Sequence, residues 1–429
     1  MQSIRSASQR RSGRIGLNRK RNHSRSHSSR TVAGKNERAL FAILFFSFAI
    51  VIGIFVDEQF RNYLLLGAIA GGAFALPFMR LRLGDDFALL APLALLMISA
   101  SLFSGVARDI WSTFFTLFFA CGYLVLAGLC RKRWFDVSHA SFLFGFLIQA
   151  FAVASLIQLT ASVAGLPVPN LIASKGLWSY NSLAFEPSQL GRVVGIAMLA
   201  FLTLERIKEP AQSLGQLLRK NWRVCFAFFL TMTLSGSALS AASIVVVLAL
   251  ASGTTWATAV GAILLFAWPF LSVVEIEAVD RVVNLVSALP TLDITSIHKA
   301  EGSGALRVIP LVIYLEASNP QQIDWWLGSG TPGLLDYFLG KIPSMTDSAT
   351  VGFLPGFAVF YGVLGFALFA WIYAFRLSSR RTAPLIIFWA MFVTFSAWNT
   401  QVFWFGLICI RIVYEIERKP HFRKRPVPR

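Results

Sequence analysis

Charge is what this chain has least of. Only 14% of its 429 residues are Asp, Glu, Lys or Arg, whereas 56% are hydrophobic and the mean hydropathy is +0.63. A soluble domain of this size needs far more charge to cover its surface, so that class is excluded. Cysteine is also scarce. Cys121, Cys130, Cys225 and Cys409 have no CxxC spacing and lie in or beside apolar runs, which excludes a disulfide framework or a cysteine metal cluster. The five histidines show no HExxH spacing. Acidic residues number 21 against 39 Lys and Arg, for a formal net charge of +18. That excess does not point to nucleic acid. About a quarter of the basic residues lie in the first 38 positions, most others flank apolar runs, and no aromatics are interleaved among them.

What the chain does have is a series of apolar runs of lipid length. They fall at 39–56, 63–79, 87–103, 110–130, 140–164, 189–204, 224–236, 238–251, 254–274, 351–375, 384–398 and 400–416. Backbone groups in lipid must be satisfied internally, and these runs are apolar throughout rather than alternating, so they are predicted to be helices and not barrel strands. The expected fold class is all-α: a polytopic transmembrane helical bundle of about 12 spans with one large extracytoplasmic loop carrying short helices. The short pair 224–251 reads either as two half-length helices or as one long one.

The domain organisation follows. Residues 1–38 form a basic cytosolic arm that is too poor in apolar residues to fold alone and rests on anionic lipid. Residues 39–274 hold the first nine helices, 275–350 the large loop, 351–416 the last three helices and 417–429 a basic tail. The first run lacks a small-residue cleavage site and is expected to stay as an anchor. Placing the arm in the cytosol puts Arg80 and Arg82, Arg131–Lys132–Arg133, Arg206 to Arg223, Arg376 to Arg381 and the tail on the same side. Both termini are then cytosolic, and the two longer polar segments, 165–188 and 275–350, share the outer face. Asp85–Asp86 falls on the cytosolic side as polar boundary residues.

The outer segments contain the residues able to do chemistry. Phe185-Glu186-Pro187-Ser188-Gln189-Leu190-Gly191-Arg192 leads into a span. Glu186 can cap that helix, because Pro suits the first turn and an acid suits the positive end of the dipole. It can equally act as a base, since partial burial at the lipid boundary raises a carboxyl pKa. Arg192 is a snorkelling residue, a partner for Glu186 or an anion contact. Val279, Val282, Val283, Val286 and Leu289 have helical spacing, so 278–289 is expected to lie along the membrane surface, with Arg281 on its polar face. Glu301-Gly302-Ser303-Gly304-Ala305-Leu306-Arg307 reads as a flexible turn. Arg307 there is an interfacial arginine or a bidentate grip on a diphosphate. Trp325-Trp326-Leu327-Gly328-Ser329-Gly330 combines two belt-type tryptophans with a GxG that lacks the strand and lysine context of a nucleotide loop.

Glu186-Pro187-Ser188 with Gly191 before a span resembles the EPS-containing motif of bacterial exopolysaccharide and O-antigen polymerases. Ser303-Gly304 to Arg307, followed by Leu327-Gly328-Ser329-Gly330, is similar to the large outer loop of the O-antigen polymerase and ligase superfamily. Thr233-Leu234-Ser235 with Ala238 resembles that family's Thr-x-Ser-Arg-x-Ala turn. The resemblance covers about 39–416. Gly236 stands where the family often has arginine. Where the ligases usually carry a His-Asn pair, this chain reads Asp347-Ser348-Ala349-Thr350, which shifts the base role to Glu186, with Asp347 second.

The resemblance implies a polymerase at the outer face of a bacterial inner membrane. It would transfer glycan from a polyprenyl-diphosphate-linked oligosaccharide to a sugar hydroxyl, with a flippase and a chain-length regulator as partners. Glu186 and Arg307 would be catalytic. Ser188, Arg192, Arg281, Gly328 and Gly330 would bind substrate. No metal or other cofactor is required if arginines neutralise the phosphates. A metal-dependent transferase using Asp57–Glu58, an O-antigen ligase and a flippase or transporter are the rival readings. The spans carry few ionisable residues, their polar exceptions being Gln149, Gln158, Asn399 and Gln401, which argues against an ion-coupled carrier.

Overall fold

The computed structural model describes residues 107–132, 134–170, 179–184, 186–253, 293–300, 302–330, 351–373, 375–398 and 400–419, with Asp86 and a few single positions. The arm, the runs at 39–56, 63–79, 87–103 and 254–274, and Asp57, Glu58, Asp85, Arg281 and Asp347 lie outside the described residues. Of the expected surface helix at 278–289, Asn284, Ser287 and Ala288 are described, and they are helical.

Among the described residues the regular structure is entirely helical. The helices are α1 (Ala107–Cys130), α2 (Val137–Val163), α3 (Pro187–Lys208), α4 (Leu214–Lys220), α5 (Trp222–Leu234), α6 (Ala238–Ser252), α7 (Ile294–Ala300), α8 (Gly302–Ala317), α9 (Ile323–Leu327), α10 (Phe353–Tyr373), α11 (Ala383–Phe392) and α12 (Gln401–Glu417). Two of these segments, Val137–Val163 and Phe353–Leu377, are long and apolar enough to cross a membrane. Large apolar side chains on α2, α5 and α10 point outward, with Phe142 56%, Phe226 61% and Trp371 62% exposed, which suits a lipid-facing surface.

Three expectations are refined or corrected. The 224–251 pair is two helices, α5 and α6, separated by a turn at 235–237. The run at 351–375 is not one continuous helix, because Gly362 adopts φ 74, ψ 167 inside it. The stretch 302–307 is not a flexible turn: α8 begins at Gly302 and passes through Arg307. Glycine-rich first turns are weak helix formers, but Ile309, Val312 and Ile313 along α8 are buried in the core, and that packing outweighs the local propensity.

Helix α3 is the centre of the bundle. It packs against α2, α5, α6, α11 and α12 and is buried on nearly every side. Its Gly191-x-x-x-Gly195 stripe allows this. A Cβ on Gly191 would stand 2.6 Å from Ser240 Oγ, and one on Gly195 would stand 3.3 Å from Ser243 Cβ. Without side chains at these positions α3 and α6 approach closely, so that van der Waals contact and not hydrophobicity alone holds the pair.

The bundle has two chemically different ends. Arg131 pairs with Asp86 and, at 3.0 Å, with Glu415, while Arg411 donates to Glu415 at 2.6 Å. Lys419 Nζ reaches the Lys132 carbonyl at 2.9 Å, and Ser379 Oγ reaches Glu417 at 2.5 Å. Ser141, near the start of α2, donates to Glu205, near the end of α3. These contacts gather the basic turns after α1, α3, α10 and α12 at one end. Glu186, at the start of α3, is at the other. Asp136 caps α2 at the basic end, accepting from Ser138 N at 2.9 Å and His139 N at 3.0 Å. Partial burial pushes its carboxyl upward, but the hydrogen bonds from His139 and Ser138 outweigh this and hold it below the usual range.

Candidate functional site

The non-basic end is organised by side-chain amides. Gln158, on the last turns of α2, is 2% exposed. Its Nε2 donates to the carbonyl of Pro169 at 2.8 Å, and its Oε1 accepts from Ser182 N at 2.7 Å. Asn170 Nδ2 donates to the Ser182 carbonyl at 2.8 Å. Asn181 Nδ2 donates to the carbonyls of Asn170 at 2.7 Å and Ala184 at 2.8 Å. The Tyr180 N–H binds the Leu234 carbonyl at 3.1 Å, which fastens this segment to the turn between α5 and α6. Gly236 in that turn has φ 56, a left-handed conformation that disfavours an arginine.

The segment delivers Glu186 to the N-cap of α3. Its backbone is extended and Pro187 occupies the first helical position. The Glu186 side chain makes no capping bond to the helix backbone; it accepts from Ser188 Oγ. Capping therefore does not account for this carboxylate. Arg192 lies one turn beyond Ser188 on the same face. It is 2% exposed and its Nη1 donates to Ser396 Oγ, in the turn before α12. Glu186, Ser188 and Arg192 thus belong to one end of one helix. A guanidinium inside an apolar bundle costs about 2.5–3.5 kcal/mol on insertion scales, so its position calls for a role in structure or chemistry.

The other expected site residues fare differently. Arg307 is on the second turn of α8, which packs against α7 and α10. Gly328 has φ 87, and a Cβ there would fall 2.3 Å from the Phe360 carbonyl oxygen. It sits against the break at Gly362, where a Cβ would fall 2.0 Å from the Trp326 carbonyl oxygen. The Ser329 N–H closes the junction on the Val359 carbonyl at 2.9 Å. Gly328 thus has a packing reason to be glycine. Gly330 is buried with φ 66. Trp326 is 40% exposed and donates its indole N–H to the Pro320 carbonyl at 2.9 Å.

Sequence reasoning singled out Arg192 and Asp86 but missed Glu205, Arg411 and Glu415, and it did not foresee that all five are buried. Asp86, Arg192, Glu205, Arg411 and Glu415 are all at most 6% exposed. Asp86, expected as a polar boundary residue, is 1% exposed and pairs with Arg131 and Arg411 at the basic end. Arg192, Arg411 and Glu415 fall inside expected spans, so the spans are richer in ionisable groups than the expectation held. The available signal was the i, i+4 spacing of Arg411 and Glu415 within one apolar run. Among the described residues no group of three His, Cys, Asp or Glu side chains has metal-binding geometry. No family model matches the chain, and no curated protein matches it.

Proposed function

We propose that the chain is a polytopic membrane glycosyltransferase of the polysaccharide-polymerase type, with about 12 spans, both termini cytosolic and the Glu186 end facing outward. The reaction is transfer of glycan from a polyprenyl-diphosphate carrier to a sugar hydroxyl. The observation that carries this reading is that the non-basic end of α3 holds both a carboxylate that makes no capping bond, Glu186, and a buried guanidinium less than two turns further on, Arg192. A base must take the acceptor proton, and a cation must offset charge on the departing diphosphate. Glu186 is the base, with Arg192 and Arg307 as the cations. The gathering of basic turns at the opposite end supports the orientation. Replacing Glu186 by Gln, or Arg307 by Ala, is expected to abolish chain extension at unchanged protein level. Polymer of normal length from either variant would remove that residue's role.

A second reading has its own observation. Buried ionisable residues and a helix broken at Gly362 are features of carriers. In cells lacking the protein, lipid-linked repeat units trapped on the cytosolic side favour a flippase. Units that accumulate on the outer side favour the polymerase.

A further inference from the structure

The amide cluster ahead of Glu186 is built more tightly than loop closure demands. Ser182 is held on every polar atom: its N–H by Gln158 Oε1 at 2.7 Å, its carbonyl by Asn170 Nδ2 at 2.8 Å, and its hydroxyl by the Phe151 carbonyl at 2.6 Å. Ala184, two residues before Glu186, is fixed from both sides. Its N–H binds the Asn181 carbonyl at 2.9 Å, and its carbonyl accepts from Asn181 Nδ2 at 2.8 Å. Asn170 and Ser182 have φ of 58° and 53°, conformations that L residues keep only when their surroundings over-determine them. Water would satisfy these carbonyls in an ordinary surface loop. This chain instead buries Gln158, Asn181 and Ser182 to 2% exposure or less to do so.

We propose that Gln158, Asn170 and Asn181 are positioning residues: a clamp that fixes the Glu186 carboxylate at the mouth of the bundle for the transfer step. This rests on the reading of Glu186 as the base. A base displaced by about 1 Å loses about 100-fold in rate, so rigidity ahead of α3 has a direct chemical use.

The test separates geometry from chemistry. Cys121, Cys130, Cys225 and Cys409 are replaced by Ala, Glu186 is replaced by Cys, and the rate of labelling by a water-soluble maleimide is measured on intact membranes. Asn170→Gly is the main variant, because it removes the amide while leaving the left-handed backbone unstrained. Gln158→Leu is the second. Each is expected to raise the labelling rate at least about tenfold, since Asn170→Gly loses the two hydrogen bonds its amide donates and Gln158→Leu loses the four that its amide makes. Introduced into the chain with Glu186 intact, Asn170→Gly is expected to cut the yield of long polymer about 100-fold. Unchanged labelling in both variants overturns the clamp whatever the polymer does. Raised labelling with normal polymer from Asn170→Gly overturns its role in the reaction. Normal polymer from Glu186→Gln overturns the catalytic reading itself and leaves the clamp as a purely geometric device.

Discussion

The Ser188 hydroxyl donates to the Glu186 carboxylate across the first turn of α3, and no capping N–H of that helix donates to the Glu186 side chain. The carboxylate is therefore at the positive end of a helix dipole without accepting a capping bond from the helix amides.

This arrangement ranks two substitutions. On the proposed polymerase reading, Glu186→Gln removes the base and is expected to lower chain extension by about 10²- to 10⁴-fold. Ser188→Ala removes one hydrogen bond to a charged group and leaves the base, so a loss of about tenfold is expected. The check is the length distribution of polymer made by membranes carrying each variant. A Ser188→Ala loss as large as that of Glu186→Gln would show that the hydroxyl does more than orient the acid.

At the opposite end, Arg411 links Glu415 at 2.6 Å with Asp86 at 3.5 Å, and its guanidinium carbon lies 5.8 Å from the Tyr123 ring centroid. Among the described residues this cluster holds two acids, Asp86 and Glu415, and two guanidiniums, Arg131 and Arg411. Arg411→Leu leaves buried carboxylates short of one cation and is expected to cost about 3–5 kcal/mol. The double variant Arg411→Leu, Glu415→Leu removes one charge of each sign and is expected to recover most of that loss. Thermal unfolding of the purified protein in detergent is the measurement. A double variant no more stable than the single one would show that packing, and not charge balance, holds this end.

Among the described residues, helices were legible where an apolar run is long and unbroken. The runs at 110–130, 140–164 and 189–204 correspond to α1, α2 and α3 within a few residues. The break at Gly362 was not legible, because nothing in an apolar run distinguishes a helical glycine from a left-handed one. What decides it is the Trp326 carbonyl, from a segment more than thirty residues earlier. Glu186 was legible by its place before Pro187 and a span. The clamp was not. Gln158, Asn170 and Asn181 are separated by 12 and 11 positions, follow no periodicity, and act by reaching backbone carbonyls, which carry no sequence signature. Arg411 and Glu415 were visible as an i, i+4 pair, but their partners Asp86 and Arg131 come together only through the fold.

Acid is expected to weaken the start of α2. The Asp136 carboxyl is held below its usual 3.8 by hydrogen bonds from His139 and Ser138 in the folded chain. A depressed folded-state value means the ionised form favours folding. The contribution is fully present above the unfolded value and is lost as pH falls through the folded one. At neutral pH, Asp136→Ala is expected to cost about 1 kcal/mol, at the modest end because the side chain is half exposed to solvent. Well below pH 3.8 the variant and the wild type are expected to unfold together. Thermal melts of both across that range are the check, and a difference that grows on acidification would reverse the sign of the assignment.

Gly328 has two competing explanations that separate cleanly on one substitution. A glycine that binds substrate through its backbone tolerates a methyl group structurally, so Gly328→Ala would leave the fold intact and damage only turnover. A glycine required by packing does not tolerate it. The φ of 87° is unfavourable for alanine, and the added Cβ would stand 2.3 Å from the Phe360 carbonyl oxygen and 2.6 Å from Gly362 N. Backbone on both sides cannot swing away as a side chain would. The expected outcome is that Gly328→Ala destabilises the protein by about 1–3 kcal/mol and loosens α9 from α10. Limited proteolysis of the 318–330 segment, alongside thermal unfolding, reads both effects. A variant with wild-type stability and protease resistance but no polymer would return Gly328 to the substrate site.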